Sequence, residues 1–160
     1  MEKKAYILST GVYIPERIIN NYDLEKMVDT TNEWILTRTG IKERHIARPD
    51  ESASDLAVPA AKIAIKRAGL SAQDIDLIIT ATITPDMIFP STSAIIQARL
   101  GATKAAAVDI NAACSGFIYG LSVADAYLKS GTYQTAIVIA AEVISRFIDW
   151  TDRSTCILFG

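Results

Sequence analysis

The chain has 160 residues, half of them hydrophobic, and its charges nearly cancel at a formal net charge of −2. A chain of this length buries roughly 70% of the surface that its unfolded form exposes, which predicts a globular core rather than a disordered segment. The charge balance and the lack of a basic stripe argue against a nucleic-acid partner, because the phosphate backbone requires one.

The first residues and the cysteines narrow the class of protein further. Residues 1–4 (MEKK) run directly into an apolar stretch and carry no signal-peptide core or cleavage site. No apolar run reaches the roughly 18–20 residues that a membrane span needs. Two cysteines are too few for a disulfide framework, and no Cys/His cluster has zinc spacing. We therefore expect a cytoplasmic protein without a membrane segment or a metal site.

Five short apolar runs predict β-strands along the chain. They lie at residues 5–9 (AYILS), 75–80 (IDLIIT), 105–110 (AAAVDI), 135–140 (TAIVIA) and 155–159 (TCILF). Because these runs are continuous rather than alternating, they indicate strands that are covered on both faces.

Helical patterns separate several of these strands. Residues 55–68 follow the possible N-cap Ser54, residues 91–100 end at Gly101, and residues 115–129 end before Gly131. Pro59 predicts a late start or a kink in the first helix. Strands that alternate with helices predict an α/β domain with a mainly parallel sheet. No long helix separates the last two strands, which therefore fit an antiparallel join.

Two features of the organisation stand apart from this alternation. The polar stretch at about residues 20–50 is expected to be an insertion in a single domain that spans residues 1–160. The chain ends directly after an apolar strand with no covering element, which is an aggregation hazard. We therefore expect either a partner that covers this strand or a longer parent protein.

Cys114 occupies a turn between a predicted strand and a predicted helix, within residues 105–120 (AAAVDINAACSGFIYG). Unpaired N–H groups and the positive end of a helix dipole favour a thiolate at such a position. The same N–H groups are suited to bind an oxyanion. The alternative is a cysteine that packs in the core, since free cysteine is among the most buried residue types.

The other candidates for thiol chemistry have simpler interpretations. Cys156 lies inside the apolar run TCILF and is expected to pack in the core. His45, the only histidine, lies in the charged segment KERHIARPD and is expected to be a hydrogen-bonded or exposed loop residue. A nucleophilic Cys114 would therefore find its catalytic partners outside this chain.

Three segments together resemble the β-ketoacyl-acyl carrier protein synthase III family of condensing enzymes. They are residues 32–47 (NEWILTRTGIKERHIA), 109–121 (DINAACSGFIYGL) and 151–160 (TDRSTCILFG). The resemblance implies a thiolase-like half-fold, with a five-stranded sheet in the order 3-2-1-4-5, an antiparallel last strand and helices on both faces. It also implies that this chain is the N-terminal half, and that the C-terminal half, which supplies a histidine and an asparagine, is absent.

The resemblance assigns roles to six residues of this sequence. Cys114 would be the acyl-accepting nucleophile, and Phe89 would reach across a homodimer to wall the partner's acyl pocket. The coenzyme A site would contain Trp34, Arg38, Thr39 and Arg153. Without the resemblance, Trp34 would be interpreted as a core aromatic, the two arginines as solvated charges and Phe89 as a loop aromatic packed on its own subunit.

The implied reaction is a decarboxylative Claisen condensation that initiates fatty-acid synthesis. An acyl-coenzyme A, commonly acetyl, would load Cys114, and malonyl-acyl carrier protein would then supply the carbon nucleophile. Coenzyme A is here a substrate carrier, and no cofactor is required. One alternative is a related condensing enzyme such as 3-hydroxy-3-methylglutaryl-coenzyme A synthase. Another is a catalytically silent module that dimerises and at most binds acyl-coenzyme A, which is what we expect of these 160 residues alone.

Overall fold

The structure, a computed structural model, describes residues 4–159 and divides them into two compact units. The first unit contains residues 4–13 and 52–142, and the second contains residues 14–51 and 143–159. The segment expected to be an insertion, at about residues 20–50, falls within the second unit. The expected single domain with an insertion stays a prediction.

Eleven strands and α-helices are formed by the described residues. In chain order they are β1 (Arg17–Asn20), α1 (Asn21–Leu24), α2 (Asn32–Thr39), β2 (Glu43–Ile46), α3 (Ala53–Arg67), β3 (Leu77–Ala81), α4 (Thr92–Leu100), β4 (Ala106–Ile110), α5 (Gly116–Ser130), β5 (Ala136–Ala140) and α6 (Arg153–Cys156). Single 3-10 turns occur at Ala72–Asp74, Ala113–Ser115 and Ile144–Arg146.

The first unit is built on a parallel three-stranded sheet in the order β4-β3-β5. Every residue of the central strand β3 is buried, as expected for a strand covered on both faces. One face packs against α3 and α4 in a cluster that includes Ile78, Ile96 and Ile137. The other face packs against α5 through Leu77, Ile79 and Ala124. The predicted α/β class, with helices on both faces of a parallel sheet, is therefore confirmed.

The predicted strand at residues 5–9 is wrong, and so is its place in the sheet. The predicted order separates residues 75–80 from residues 135–140 by this strand, whereas β3 pairs directly with β5. Residues 4–13 form no strand and lie along α3 instead. The Ser9 hydroxyl donates to the Ala64 carbonyl at 2.7 Å, and Arg67 donates to the Thr10 carbonyl at 3.0 Å. These bonds to a helix replace the expected ladder to neighbouring strands.

The predicted strand at residues 155–159 is also wrong, because α6 occupies its beginning. Asp152 is the N-cap, and its carboxylate accepts a hydrogen bond from the Ser154 N–H at 2.8 Å. Such a cap starts a helical turn regardless of the apolar residues that follow. Residues 155–159 therefore form no antiparallel strand, and among residues 4–159 the sheet of the first unit has three strands rather than five.

The start of α3 differs slightly from the prediction. The N-cap is Ser52 rather than Ser54, and Asp55 completes a capping box with Ser52. Pro59 lies inside the helix, which begins at Ala53, so the helix does not start late. The other predicted effect of Pro59, a kink, stays a prediction. The helices predicted at residues 91–100 and 115–129 are confirmed within one residue as α4 and α5.

The second unit combines an antiparallel pair, β1 and β2, with α1, α2 and α6. Its core contains Leu24, Ile35, Cys156 and Ile157. Arg44 of β2 is 1% exposed; its guanidinium donates to Asn21 Oδ1 and to the Ile157 carbonyl, the latter at 2.8 Å. Burial lowers the pKa of this guanidinium, because a charge is less stable away from water.

Candidate active site

Cys114 lies in the 3-10 turn Ala113–Ser115, which begins three residues after the end of β4 and leads directly into α5. The cysteine is exposed. The backbone of Ala113 has a φ of +45°, a left-handed conformation that a residue with a Cβ rarely adopts. Strained backbone of this kind is frequent at functional sites, because the surrounding structure must enforce it. The turn therefore presents the sulfur at the start of a 15-residue helix.

The electrostatics of this position favour a negative charge. The amino end of an α-helix carries about half a positive elementary charge. No side-chain cap closes the start of α5 within the described part of the chain. The neighbours of the cysteine are small residues, and Gly116 is buried so close to β3 that a Cβ there would lie 3.0 Å from Ala81 Cβ. This close packing brings the start of α5 against the carboxyl end of β3.

Cys156 provides the contrasting environment within the same chain. Its side chain is 0% exposed and packs with Leu24, Ile35 and Ile157. Burial raises the pKa of this thiol above its ordinary value, an effect that the nearby Arg44 charge only partly offsets. Its predicted place in the core is confirmed, although it lies on α6 rather than on a strand. Of the two thiols, only the one at the start of α5 is accessible to a substrate.

Trp34, Arg38 and Arg153 come together in the second unit. The guanidinium carbon of Arg38 lies 4.9 Å from the centroid of the Trp34 ring, and that of Arg153 lies 5.0 Å from it. Arg153 also donates to the Asp29 carbonyl at 3.0 Å. Both arginines are exposed, whereas Trp34 is half-buried against the core. Cations over an indole face form an arrangement that suits a planar, negatively charged ligand.

Thr39, the fourth residue assigned to the coenzyme A site, has a hydroxyl that is already engaged. It donates to the Ile35 carbonyl at 2.8 Å and accepts from the Ile41 N–H at 3.0 Å. These bonds close the end of α2, next to the left-handed Gly40. A local structural role therefore accounts for the side chain, and its contact with a ligand stays a prediction.

Phe89 lies at the tip of the loop that connects β3 to α4. It is 87% exposed, and its neighbours Met87 and Ile88 are exposed as well. Within the described residues nothing covers the ring, and both the cross-dimer role of Phe89 and its packing on its own subunit stay predictions. The loop itself is fixed, since Asp86 accepts hydrogen bonds from the N–H and the hydroxyl of Ser54 at 3.0 and 2.6 Å.

Two further carboxylates near the carboxyl end of the sheet were not predicted from the sequence. Glu142, just after β5, accepts from the Ile83 N–H at 2.9 Å and from the Thr84 hydroxyl at 2.5 Å. Asp109 of β4 accepts from the Thr92 and Ser93 N–H groups at 2.8 and 2.7 Å. Both residues carry the same signal in the sequence, which is an acidic residue at or just after the end of an apolar strand. A charge at such a position needs a hydrogen-bond or ionic partner.

His45 lies on β2 rather than in a loop. Its Nδ1 atom is 2.7 Å from the Pro15 carbonyl, and its Nε2 atom is 3.8 Å from a Glu43 carboxylate oxygen. The expectation of a hydrogen-bonded histidine is therefore confirmed. Cys114 and Phe89 belong to the first unit. His45 belongs to the second, as do Trp34, Arg38 and Arg153, which we call the Trp34 cluster.

Comparison with known proteins identifies the family. The family model described as 3-oxoacyl-[acyl-carrier-protein (ACP)] synthase III matches residues 108–160, which include Cys114 and Arg153. The β-ketoacyl-[acyl-carrier-protein] synthase III of Caldanaerobacter subterraneus subsp. tengcongensis is 58% identical over 156 residues, which cover 98% of this chain and 47% of that relative. This chain belongs to the β-ketoacyl-[acyl-carrier-protein] synthase III family.

Solved structures of the synthase III family share the fold. The 3-oxoacyl-[acyl-carrier-protein] synthase III of Aquifex aeolicus superposes with a TM-score of 0.93 at 55% identity, covering 96% of this chain and 50% of that one. The priming β-ketosynthase of the R1128 polyketide pathway superposes with a TM-score of 0.94 at 38% identity, covering 100% of this chain and 48% of that one. The chain thus spans about half the length of the synthase III relatives that it matches.

Within residues 4–159, no helix is both long and apolar enough to span a membrane. The same part of the chain contains no group of three or more side chains placed to hold a metal ion.

Proposed function

We propose that Cys114 accepts an acyl group from an acyl-coenzyme A and holds it as a thioester. The observation that carries the proposal is the exposed sulfur at the start of α5, in a turn whose backbone is strained at Ala113. The sulfur there faces the positive end of a long helix, whereas the Cys156 thiol is buried, which raises its pKa.

The loading step needs only groups that the turn supplies. The Cys114 thiolate attacks the thioester carbonyl, and the carbonyl oxygen becomes an oxyanion. Backbone N–H groups at the start of α5 are suited to stabilise that charge. The tetrahedral intermediate then collapses: the bond from carbon to the coenzyme A sulfur breaks, and the thiolate of coenzyme A leaves and takes up a proton. No electrons are exchanged with a redox group, and no metal is required.

In the whole enzyme, the second step would be the condensation that defines the family. Malonyl-acyl carrier protein loses carbon dioxide, and the resulting carbanion attacks the acyl carbon on Cys114. The carbon–sulfur bond breaks, which restores the cysteine and yields a β-ketoacyl-acyl carrier protein. A thioester suits this role because its carbonyl remains reactive toward carbon nucleophiles. The acyl group is proposed to be acetyl, and the reaction to start fatty-acid synthesis in the cytoplasm.

The Trp34 cluster is proposed to bind the nucleotide end of coenzyme A. The indole face offers a stacking surface for the adenine, and Arg38 and Arg153 offer charges for phosphates. Because both guanidinium groups now lie within about 5 Å of the ring centroid, at least one must move away to admit a base. We expect the Arg38 side chain to move, since Arg153 is also bonded to the Asp29 carbonyl.

The sequence alone predicts a catalytically silent module, but the exposed sulfur at the start of α5 leads us to propose acyl loading, without condensation, for these 160 residues. The family's second half supplies a histidine and an asparagine that activate the malonyl group. The single histidine of this chain, His45, is bonded to the Pro15 carbonyl. This hydrogen bond therefore holds the His45 ring in place beside β2.

The test separates loading from condensation. The wild-type protein is incubated with acetyl-coenzyme A, with and without malonyl-acyl carrier protein, and free coenzyme A and β-ketoacyl product are measured. Cys114→Ala is the test variant, and Cys156→Ala is the matched control. We expect coenzyme A release up to one equivalent from wild-type protein and from the control, and none from Cys114→Ala. Release of coenzyme A by the Cys114→Ala variant would contradict the proposal. Formation of β-ketoacyl product would contradict the expectation that these residues alone do not catalyse condensation.

A further inference from the structure

The Asp109 carboxylate joins the end of β4 to the beginning of α4. Its two oxygens each accept one backbone hydrogen bond, from the Thr92 N–H at 2.8 Å and from the Ser93 N–H at 2.7 Å. Both residues that donate are 0% exposed. Charge-assisted hydrogen bonds to buried amides are among the stronger polar interactions in a protein, and their loss leaves the donors unsatisfied.

Ser93 extends this connection to the central strand. Its hydroxyl donates to the Val108 carbonyl at 2.7 Å and accepts from the Thr80 N–H at 3.1 Å. Thr80 and Asp109 are neighbours in the register of β3 and β4. The first turn of α4 is therefore bonded to two strands at the same level of the sheet, and its position cannot change without breaking buried hydrogen bonds.

On the side of the sheet that α4 covers, Asp109 is also the last side chain before Cys114 that hydrogen bonds hold in place. Ile110, the next residue, packs on the opposite face with Ile79 and Ala124, against α5. The backbone then passes through the left-handed Ala113 to Cys114. Asp109 and Ile110 thus hold the end of β4 between α4 and α5, just before the turn that contains Cys114.

The loop that carries Phe89 ends at the same place. Thr92, the first residue of α4, accepts a hydrogen bond through its hydroxyl from the Asp86 N–H at 3.2 Å, in addition to donating to Asp109. Asp86 in turn is bonded to Ser54. The Asp109 carboxylate therefore contacts Thr92, where the Phe89 loop ends. Asp109 itself lies five residues before Cys114 in the sequence.

We infer that Asp109 is a positioning residue, which fixes the Cys114 turn and the Phe89 loop relative to each other. On the proposed function, on which this consequence rests, both segments border an acyl site, Cys114 in its own subunit and Phe89 across the homodimer, so their placement determines which acyl chains load well. The carboxylate itself contacts neither substrate nor sulfur and acts through the backbone that it anchors.

Asp76 offers a matched control at the other end of the sheet. Its carboxylate also accepts from two backbone N–H groups, those of Gln134 and Thr135, at 2.9 and 3.1 Å. It directly precedes β3, whereas Asp109 lies near the carboxyl end of β4. A general loss of stability would appear in both Asp76→Ala and Asp109→Ala, but a loosened cysteine turn only in the latter. Asp109→Asn, which keeps one acceptor, is the milder second variant.

The experiment compares three readouts across wild type and these variants. They are hydrogen exchange of backbone amides in residues 82–91 and 111–115, the rate at which iodoacetamide alkylates Cys114, and the ratio of acetyl to hexanoyl loading. For Asp109→Asn we expect exchange in both segments to rise about tenfold, as the loss of one charge-assisted hydrogen bond implies. We also expect an altered alkylation rate and acyl ratio, with none of these changes in Asp76→Ala.

The result that would overturn the inference is unchanged exchange in both segments for a folded Asp109→Asn variant, or the same changes in Asp76→Ala. Failure of the proposed function looks different. A wild-type protein that never loads an acyl group, but whose Asp109→Asn variant shows the expected exchange and alkylation changes, would keep the positioning role and remove the acyl chemistry.

Discussion

Gly120 of α5 lies so close to Val138 of β5 that a Cβ atom at residue 120 would come within 2.9 Å of Val138 Cγ1. Gly116, one turn earlier, makes the same kind of approach to Ala81. These two glycines let α5 lie directly on the sheet. The distance between the helix and the strands determines where the start of the helix, and hence Cys114, stands above the carboxyl end of β3.

Gly120→Ala is therefore expected to destabilise the chain, although alanine favours a helix. Overpacking in a core costs about 1–3 kcal/mol, and the gain in helix propensity offsets about 1 kcal/mol of it. Urea unfolding followed by circular dichroism measures the difference in the free energy of unfolding. Ser122→Ala, on the exposed side of the same helix, serves as the control and should stay within about 0.5 kcal/mol of wild type. Equal stability of Gly120→Ala and wild type would contradict this packing.

The Trp34 cluster predicts how coenzyme A affinity responds to substitution. Trp34→Leu keeps apolar contact with the core but removes the stacking face, which should weaken binding by about 1–3 kcal/mol. Arg38→Gln should also weaken binding. Arg146→Gln removes the same charge from the same unit, but its guanidinium donates to the Pro49 carbonyl instead of lying over the indole. Isothermal titration with coenzyme A measures all three, and unaltered affinity in Trp34→Leu would rule out this site.

Asp152 makes the stability of the second unit depend on pH. Hydrogen bonds from Ser154, first its hydroxyl and then its backbone N–H, lower the pKa of this carboxyl below 3.8, and Thr155 adds to the effect. As pH falls, the unfolded chain takes up this proton before the folded chain does. The stabilising contribution is therefore complete above the ordinary pKa and disappears as pH falls through the lowered value.

The matching measurement compares urea unfolding of wild type, Asp152→Asn and Ser154→Ala over a series of pH values. The stability gap between wild type and Asp152→Asn should be constant near neutral pH and narrow below pH 3.8. Ser154→Ala, which removes one donor, should fall between the other two. A gap that widens on acidification has the wrong sign for this cap.

Phe89 predicts an effect on assembly rather than on folding. Because its ring is 87% exposed, Phe89→Ala should change the free energy of unfolding by less than about 0.5 kcal/mol. If the ring reaches into a partner subunit, the same variant should shift the equilibrium from dimer toward monomer in sedimentation velocity. Phe147→Ala, with a ring that is 72% exposed in the second unit, is the control. A dimer that tolerates Phe89→Ala as well as Phe147→Ala contradicts the cross-dimer role.

The sequence predicts the sheet of the first unit well, because burial on both faces leaves a clear signature. The apolar runs that precede Ala81, Ile110 and Ala140 are strands, and the helices between them end at glycines in the left-handed conformation. Cys114 could be placed at a helix start for the same reason, since small residues between a strand and a helical pattern leave little freedom for the turn.

The remaining structure depends on polar contacts that apolar patterns do not encode. Residues 5–9 and 155–159 have the composition of strands, yet the first lies along α3 and the second begins in α6. The capping pattern of Asp152 with Ser154 was the available signal for the helical turn. The roles of Asp109 and Glu142 depend on amides that are distant in the sequence, and no local pattern shows which amides a carboxylate will meet.

Acyl loading depends on one sulfur atom, that of Cys114, and mapping the acyl group by tandem mass spectrometry tests this most directly. The native protein is incubated with acetyl-coenzyme A, digested at low pH to preserve thioesters, and the peptides that contain Cys114 and Cys156 are compared. We predict an acetyl group on Cys114 and none on the buried Cys156. An acetyl group on Cys156 or on a lysine, with Cys114 unmodified, would contradict the account.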